Sequence, residues 1–159
     1  MLRRNAGCLV TIVIVLSILG AIAIPNFLTA LNRSRQKRTM ADMRTIATAL
    51  EARATDEDTY AIESLPVSLT ATDFTSLTPV PLNALERALT PKYMRMPPPR
   101  LDGWGNEFEV RVGAKSYGIR SRGSDGDADP IIRFNYRIQS FEEDLVFAGG
   151  NFIQYPEET

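Results

Sequence analysis

The chain has 159 residues, 44% apolar and 23% charged, enough for one hydrophobic core and too few for two ordinary domains. Its 18 basic and 19 acidic residues nearly cancel, which argues against a generally basic nucleic-acid binder and against an acidic disordered chain. Histidine is absent and Cys8 is the single thiol, so His-assisted nucleophilic catalysis, imidazole or multi-thiolate zinc sites and an internal disulfide are excluded, and no enzymatic activity is expected.

The charge is unevenly placed. Residues 1–50 hold seven Arg or Lys side chains against one acid, Asp42, while the remainder is net acidic, so the chain reads as two parts with different surroundings. After a short basic segment, residues 1–7 with Arg3 and Arg4, the 17 residues from Cys8 to Ile24 carry no charge. A helix rises about 1.5 Å per residue and a bilayer core is about 30 Å thick, so a span needs about 20 residues, a length that Phe27 and Leu28 supply. Residues 8–28 therefore read as a transmembrane segment. A secretory signal peptide cut near Ala21-Ile22-Ala23 is the competing reading, but its apolar core would normally end after about 7–15 residues. Arg3 and Arg4 flank one side and Arg33, Arg35, Lys37 and Arg38 the other, so charge alone does not set orientation.

Beyond Pro25, Phe27, Leu31, Met40, Met43, Ile46 and Leu50 follow helical spacing and predict an amphipathic continuation over residues 29–54 with one apolar stripe. Pro25 lacks an N–H and crowds the preceding turn, so a kink or local melting is expected there, in a helix of about 45 residues and about 70 Å. Met40, Met43 and Leu50 read as core. The residues from Arg33 to Arg38 read as a solvated face, or as contacts to lipid phosphates or acidic partner subunits.

Residues 55–159 read as the globular part. Pro66, Pro79, Pro81, Pro91 and Pro97-Pro98-Pro99 punctuate a connecting region that holds a brief helix from Leu82 to Leu89. From Glu107 the period becomes two: Phe108, Val110 and Val112 alternate with charges, Gly113-Ala114-Lys115 supplies a turn, and Tyr117, Ile119 and Ser121 return. Ile132, Phe134, Tyr136 and Ile138 mark a third strand, and Leu145 to Phe147 with Asn151 to Tyr155 form a hairpin around Gly149-Gly150. The sum is an α+β fold, a long N-terminal helix packed on a small antiparallel sheet.

The densest polar feature is the run from Ser121 to Pro130, where Asp125, Asp127 and Asp129 alternate and repel one another. A bound Ca²⁺ with six to eight oxygen ligands would remove that cost, and Glu142-Glu143-Asp144 forms a second cluster able to fold back onto the first. Asp125, Asp127, Asp129, Glu143 and Asp144 are therefore the candidate metal ligands, with a solvated acidic turn as the alternative. The loop is not an EF-hand, because Pro130 stands where the turn glycine belongs and Tyr136 where the bidentate glutamate belongs.

The run Ile18-Leu19-Gly20-Ala21-Ile22-Ala23-Ile24-Pro25-Asn26-Phe27 resembles the N-terminal helix of type IV pilins and of the pseudopilins of type II secretion systems. Asp102-Gly103-Trp104-Gly105-Asn106 resembles the Asp-Pro-Trp-Gly-Asn motif of the major pseudopilin, with Gly103 in place of proline. Tyr117 to Gly126 resembles the strand and calcium loop that follow it. The resemblance spans nearly the whole chain in the right order. It implies a structural subunit of a secretion pseudopilus or of a type IV pilus, against the alternative of a membrane-anchored periplasmic binding domain that never polymerises.

By the same resemblance the N-terminus is cytoplasmic, the C-terminal domain is periplasmic, and the inner-membrane helix moves on assembly into a filament core. The assembly helix would use Leu9, Ile14, Leu16, Leu19, Ile22, Ile24, Pro25 and Phe27. Implied partners are copies of itself, other pseudopilins, the lipid bilayer and an inner-membrane assembly platform that supplies the motor, with no nucleic acid. Leader processing and methylation are implied as well. Aligning on Pro25 places Arg3 and Arg4 at the cut and Cys8 where the family has glutamate, and Gly7-Cys8 is the alternative cut. In the resembled calcium loop, Asp125 is the nearest match to the junction aspartate, completed either by Asp127 and Asp129 or by Glu143 and Asp144.

Overall fold

A computed structural model describes residues 2–62 and 74–157, with side chains from residue 11 onward. Pro66 and the side chains of Gly7, Cys8 and Leu9 lie outside the described set. In chain order the elements are α1 (Leu2–Glu57), a 3-10 turn (Phe74–Ser76), β1 (Thr78–Val80), α2 (Leu82–Leu89), β2 (Glu109–Val112), β3 (Tyr117–Ser121), β4 (Tyr136–Ile138), β5 (Leu145–Ala148) and β6 (Asn151–Pro156). The chain divides into two compact units, Met1–Ser34 and Arg35–Thr159.

Helix α1 runs unbroken through Pro25, so the expected local melting does not occur. A proline removes a single backbone donor from the ladder, the one that would reach the Ala21 carbonyl, and one turn further on the Thr29 hydroxyl donates to the Pro25 carbonyl at 3.0 Å. The helix ends at Glu57, three residues later than the sequence indicates. Asp58 adopts a left-handed φ of 54° there, and Lys115 Nζ donates to its carbonyl at 2.8 Å.

One six-stranded sheet has the order β1-β2-β3-β5-β6-β4. Every pairing is antiparallel except β4 with β6, so the sheet is mixed where the sequence suggested purely antiparallel pairing. Because β5 already has β3 and β6 as neighbours, β4 joins at the free edge of β6. It is also shorter than expected: Ile132 and Phe134 precede it, Phe134 is 65% exposed, and the Arg133 N–H donates to Gln154 Oε1 at 3.0 Å. The opposite edge, β1, contains Pro79, which an edge strand tolerates because one side of it has no ladder to complete.

The core lies between the α1 stripe and one face of this sheet. Met43, Ile46, Ala47 and Leu50 pack with Val110 and Val112 of β2, Tyr117 and Ile119 of β3, and Leu145 and Phe147 of β5, while Leu85 and Leu89 of α2 close one side. Each fully buried Leu or Ile contributes about 1.5–3 kcal/mol relative to exposure. The alternate positions of β2 and β3, Glu109, Arg111, Gly118 and Arg120, face the other way, and the Phe74 ring covers Gly118 so closely that a Cβ there would collide with it.

Candidate functional site

The first region of interest is the apolar part of α1. Among the described residues this helix alone is long and apolar enough to cross a membrane, and none of its apolar window is buried. From Ile12 to Leu31 the large apolar side chains are between 36% (Leu31) and 66% (Phe27) exposed, and they include Ile14, Leu16, Leu19, Ile22 and Ile24 of the expected assembly face. They occupy all sides of the helix, the pattern of a segment surrounded by lipid or other helices, not one that docks by a single stripe. Its hydroxyls are absorbed locally, as when Ser17 Oγ donates to the Val13 carbonyl at 2.8 Å.

The second region is the turn Asp102–Asn106, where the globular unit grips α1. Asp102 is buried; its Oδ1 accepts the N–H groups of Trp104 and Asn106, both at 2.9 Å, and its Oδ2 accepts the Ser121 hydroxyl at 2.6 Å. The Gly103 N–H donates to Thr39 Oγ1 at 2.8 Å, and Thr39 in turn donates to the Arg35 carbonyl at 3.0 Å. A Cβ on Gly103 would strike the Arg35 carbonyl group. Proline, which the resembled motif has here, would both remove that donor and clash. Asn106 Nδ2 carries the connection onward by donating to the Gly123 carbonyl at 2.8 Å.

The third region is the acidic loop. The two acidic segments do meet: Ser124 N–H donates to the Phe141 carbonyl at 2.8 Å, and Gly123, with φ of 63°, passes so close to the Glu142 carbonyl that no side chain fits. Asp129 and Asp144 are clasped reciprocally, each backbone N–H donating to the other's Oδ2 at 2.9 Å. Asp144 is fully buried and its Oδ1 has no hydrogen-bond partner. Burial pushes its carboxyl up to about 6, helped by the negative charges of Asp129 and Asp125 and opposed by the Asp129 N–H and Arg120.

The other candidates diverge. Asp125 Oδ1 accepts the Asp127 N–H at 3.1 Å, a local turn on the surface, with Asp127 itself exposed. Glu143 Oε1 accepts the Gln139 N–H at 3.1 Å.

What faces Asp144 is a cation of the chain itself. Arg120 Nη1 lies 3.4 Å from Asp144 Oδ2, and Arg120 Nη2 and Nε donate to Glu109 Oε2 at 2.5 and 3.0 Å. Burial works against the Glu109 charge, but hydrogen bonds from Arg120 and Arg111 outweigh it and hold that carboxyl below its ordinary value. Calcium requires six to eight convergent oxygens. Among the described residues no group of three or more acidic, His or Cys side chains is gathered to hold a metal ion. Arg120, Glu109 and Thr39 were not singled out from sequence, and Asp102 entered only through the motif that residues 102–106 resemble. Arg120 stands opposite Glu109 because the connection takes in four residues, Gly113 to Ser116, one more than the turn read from sequence. Compared with models of protein families, with curated proteins and with solved structures, the chain finds no match.

Proposed function

We propose that the chain is a membrane-anchored structural subunit of a pilin-like filament, most closely a pseudopilin of a type II secretion machine, with a type IV pilus subunit as the nearest alternative. The observation that carries this reading is the apolar part of α1: large apolar side chains on all sides from Ile12 to Leu31, all exposed, in a helix whose later turns are packed in a globular core. Such a segment is stable in lipid because its backbone groups are satisfied internally. It leaves lipid without loss only if equally apolar helices replace the acyl chains, through close packing of side chains. In this reading the mechanism is mechanical. Side-by-side packing of the helices holds neighbouring copies, the globular units form the outside, and a separate inner-membrane platform supplies the force.

The test is to express the full chain with an assembly platform, shear the cells, and image the released material by electron microscopy while measuring the intact mass of the membrane-bound form. Filaments built of a chain that retains residues 8–54 are expected. Cleavage after Ala23, or a retained helix with no filaments when relatives polymerise under the same conditions, would overturn the reading.

A further inference from the structure

The acidic loop poses a like-charge problem, and a side chain on β3 answers it. Arg120 is 9% exposed. In the strand register it stands opposite Glu109 of β2 on one side and Val146 of β5 on the other, one strand away from Asp144, which precedes β5. Each of its three nitrogens has a partner: Nε and Nη2 on Glu109 Oε2, Nη1 at 3.4 Å from both the Asp129 carbonyl and Asp144 Oδ2. The guanidinium also lies over the Phe74 ring, 5.4 Å from its centroid. A cation held in this place touches both acidic segments at once, Asp129 from one and Asp144 from the other.

We infer that Arg120 is the built-in counter-ion of the acidic loop, doing with a covalently attached guanidinium what a bound divalent cation would otherwise do, so that residues 121–130 fold onto 141–144 without metal. The charge is permanent, because a guanidinium does not deprotonate in proteins, and its planar fork suits carboxylates. A divalent ion placed on Asp144 would sit within a few ångströms of this like charge and be repelled by it. The inference holds whether or not the chain forms filaments.

Thermal unfolding of the full chain in detergent, in EGTA and in about 5 mM Ca²⁺, reads this directly, since a ligand that binds only the folded state must raise the midpoint. The wild-type midpoints are expected to agree within about 1 °C; an EGTA-reversible rise of more than about 3 °C would overturn the inference. Arg120→Gln is expected to lower the midpoint by at least about 6 °C, by leaving buried carboxylates uncompensated. Asp144→Asn in that background is expected to restore part of the loss, because the charge that needed a partner is gone; strictly additive losses would overturn the assignment. Should Arg120→Gln not fold, equilibrium dialysis of the wild-type chain against radioactive Ca²⁺ decides: no saturable binding up to about 1 mM is expected, and stoichiometric binding below that would overturn it.

Discussion

Between Ile12 and Leu31, α1 exposes the large apolar side chains, whereas between Met43 and Leu50 the same helix buries Met43, Ile46, Ala47 and Leu50 almost completely. Both stretches are helical and both carry large apolar side chains, so backbone conformation does not separate them. The distribution around the helix does. In the first stretch apolar residues face every direction, and no single protein surface could cover them; in the second they form one stripe that a sheet face covers, leaving Arg44, Thr45 and Thr48 to solvent. The first stretch is matched to a medium and the second to a surface.

Charge tests the first half of that comparison most severely. Replacing Leu16 and Leu19 together with Arg should cost about 5–7 kcal/mol of insertion free energy near a bilayer centre and release the protein from carbonate-washed membranes. Its globular unit, assayed by Trp104 fluorescence, should remain folded. Retention of the doubly charged chain in the membrane would break the contrast.

Truncation tests the other half. Leu50→Ala should lower the unfolding free energy of the globular unit by about 2–5 kcal/mol, because Leu50 is fully buried and the space it vacates is walled by the sheet. The same truncation at Leu19 should change that unfolding by less than about 0.5 kcal/mol. Similar losses at both positions, measured by denaturant melts in detergent, would mean that the two stretches are not energetically distinct.

The boundary between them can be sharpened at Gly103. Gly103→Ala should destabilise the globular unit by about 1–3 kcal/mol through collision with the Arg35 carbonyl group, and Thr39→Val by about 1 kcal/mol through loss of the acceptor for the Gly103 N–H. Hydrogen exchange at the amides of residues 102–106 should accelerate in both variants.

Acidity acts on the globular unit alone, since residues 11–31 contain no titratable group. The Asp144 carboxyl is raised from 3.8 to about 6, so between these pH values the folded protein keeps a proton that the unfolded chain releases. This group's contribution is therefore fully present below about pH 3.8 and is lost as pH rises through about 6, with a slope no steeper than about 1.4 kcal/mol per pH unit. Asp144→Asn should flatten that part of the stability profile. An unchanged slope in the variant would assign it to another carboxylate.

Much of this architecture is legible along the chain. The all-round apolar run, the stripe after Pro25, the brief helix Leu82–Leu89 and the hairpins β2–β3 and β5–β6 each follow from a local period of 3.6 or two bounded by turn residues. Strand β1 is hidden because Pro79 argues against a strand unless its edge position is known. In the acidic loop the carboxylates are visible in sequence, but the choice of Asp129 and Asp144 as the pair that meets, and of Arg120 as their cation, is not.

The local pattern of side chains determined which segments are helix or strand and which faces are apolar, because those depend on neighbours a few residues apart. The tertiary structure alone decided that β4 runs parallel to β6, that the Gly103 N–H finds Thr39, and that Arg120 meets Asp144. Each of these depends on which edges and faces remain free once the core has closed, and the partners involved are separated by many residues of chain.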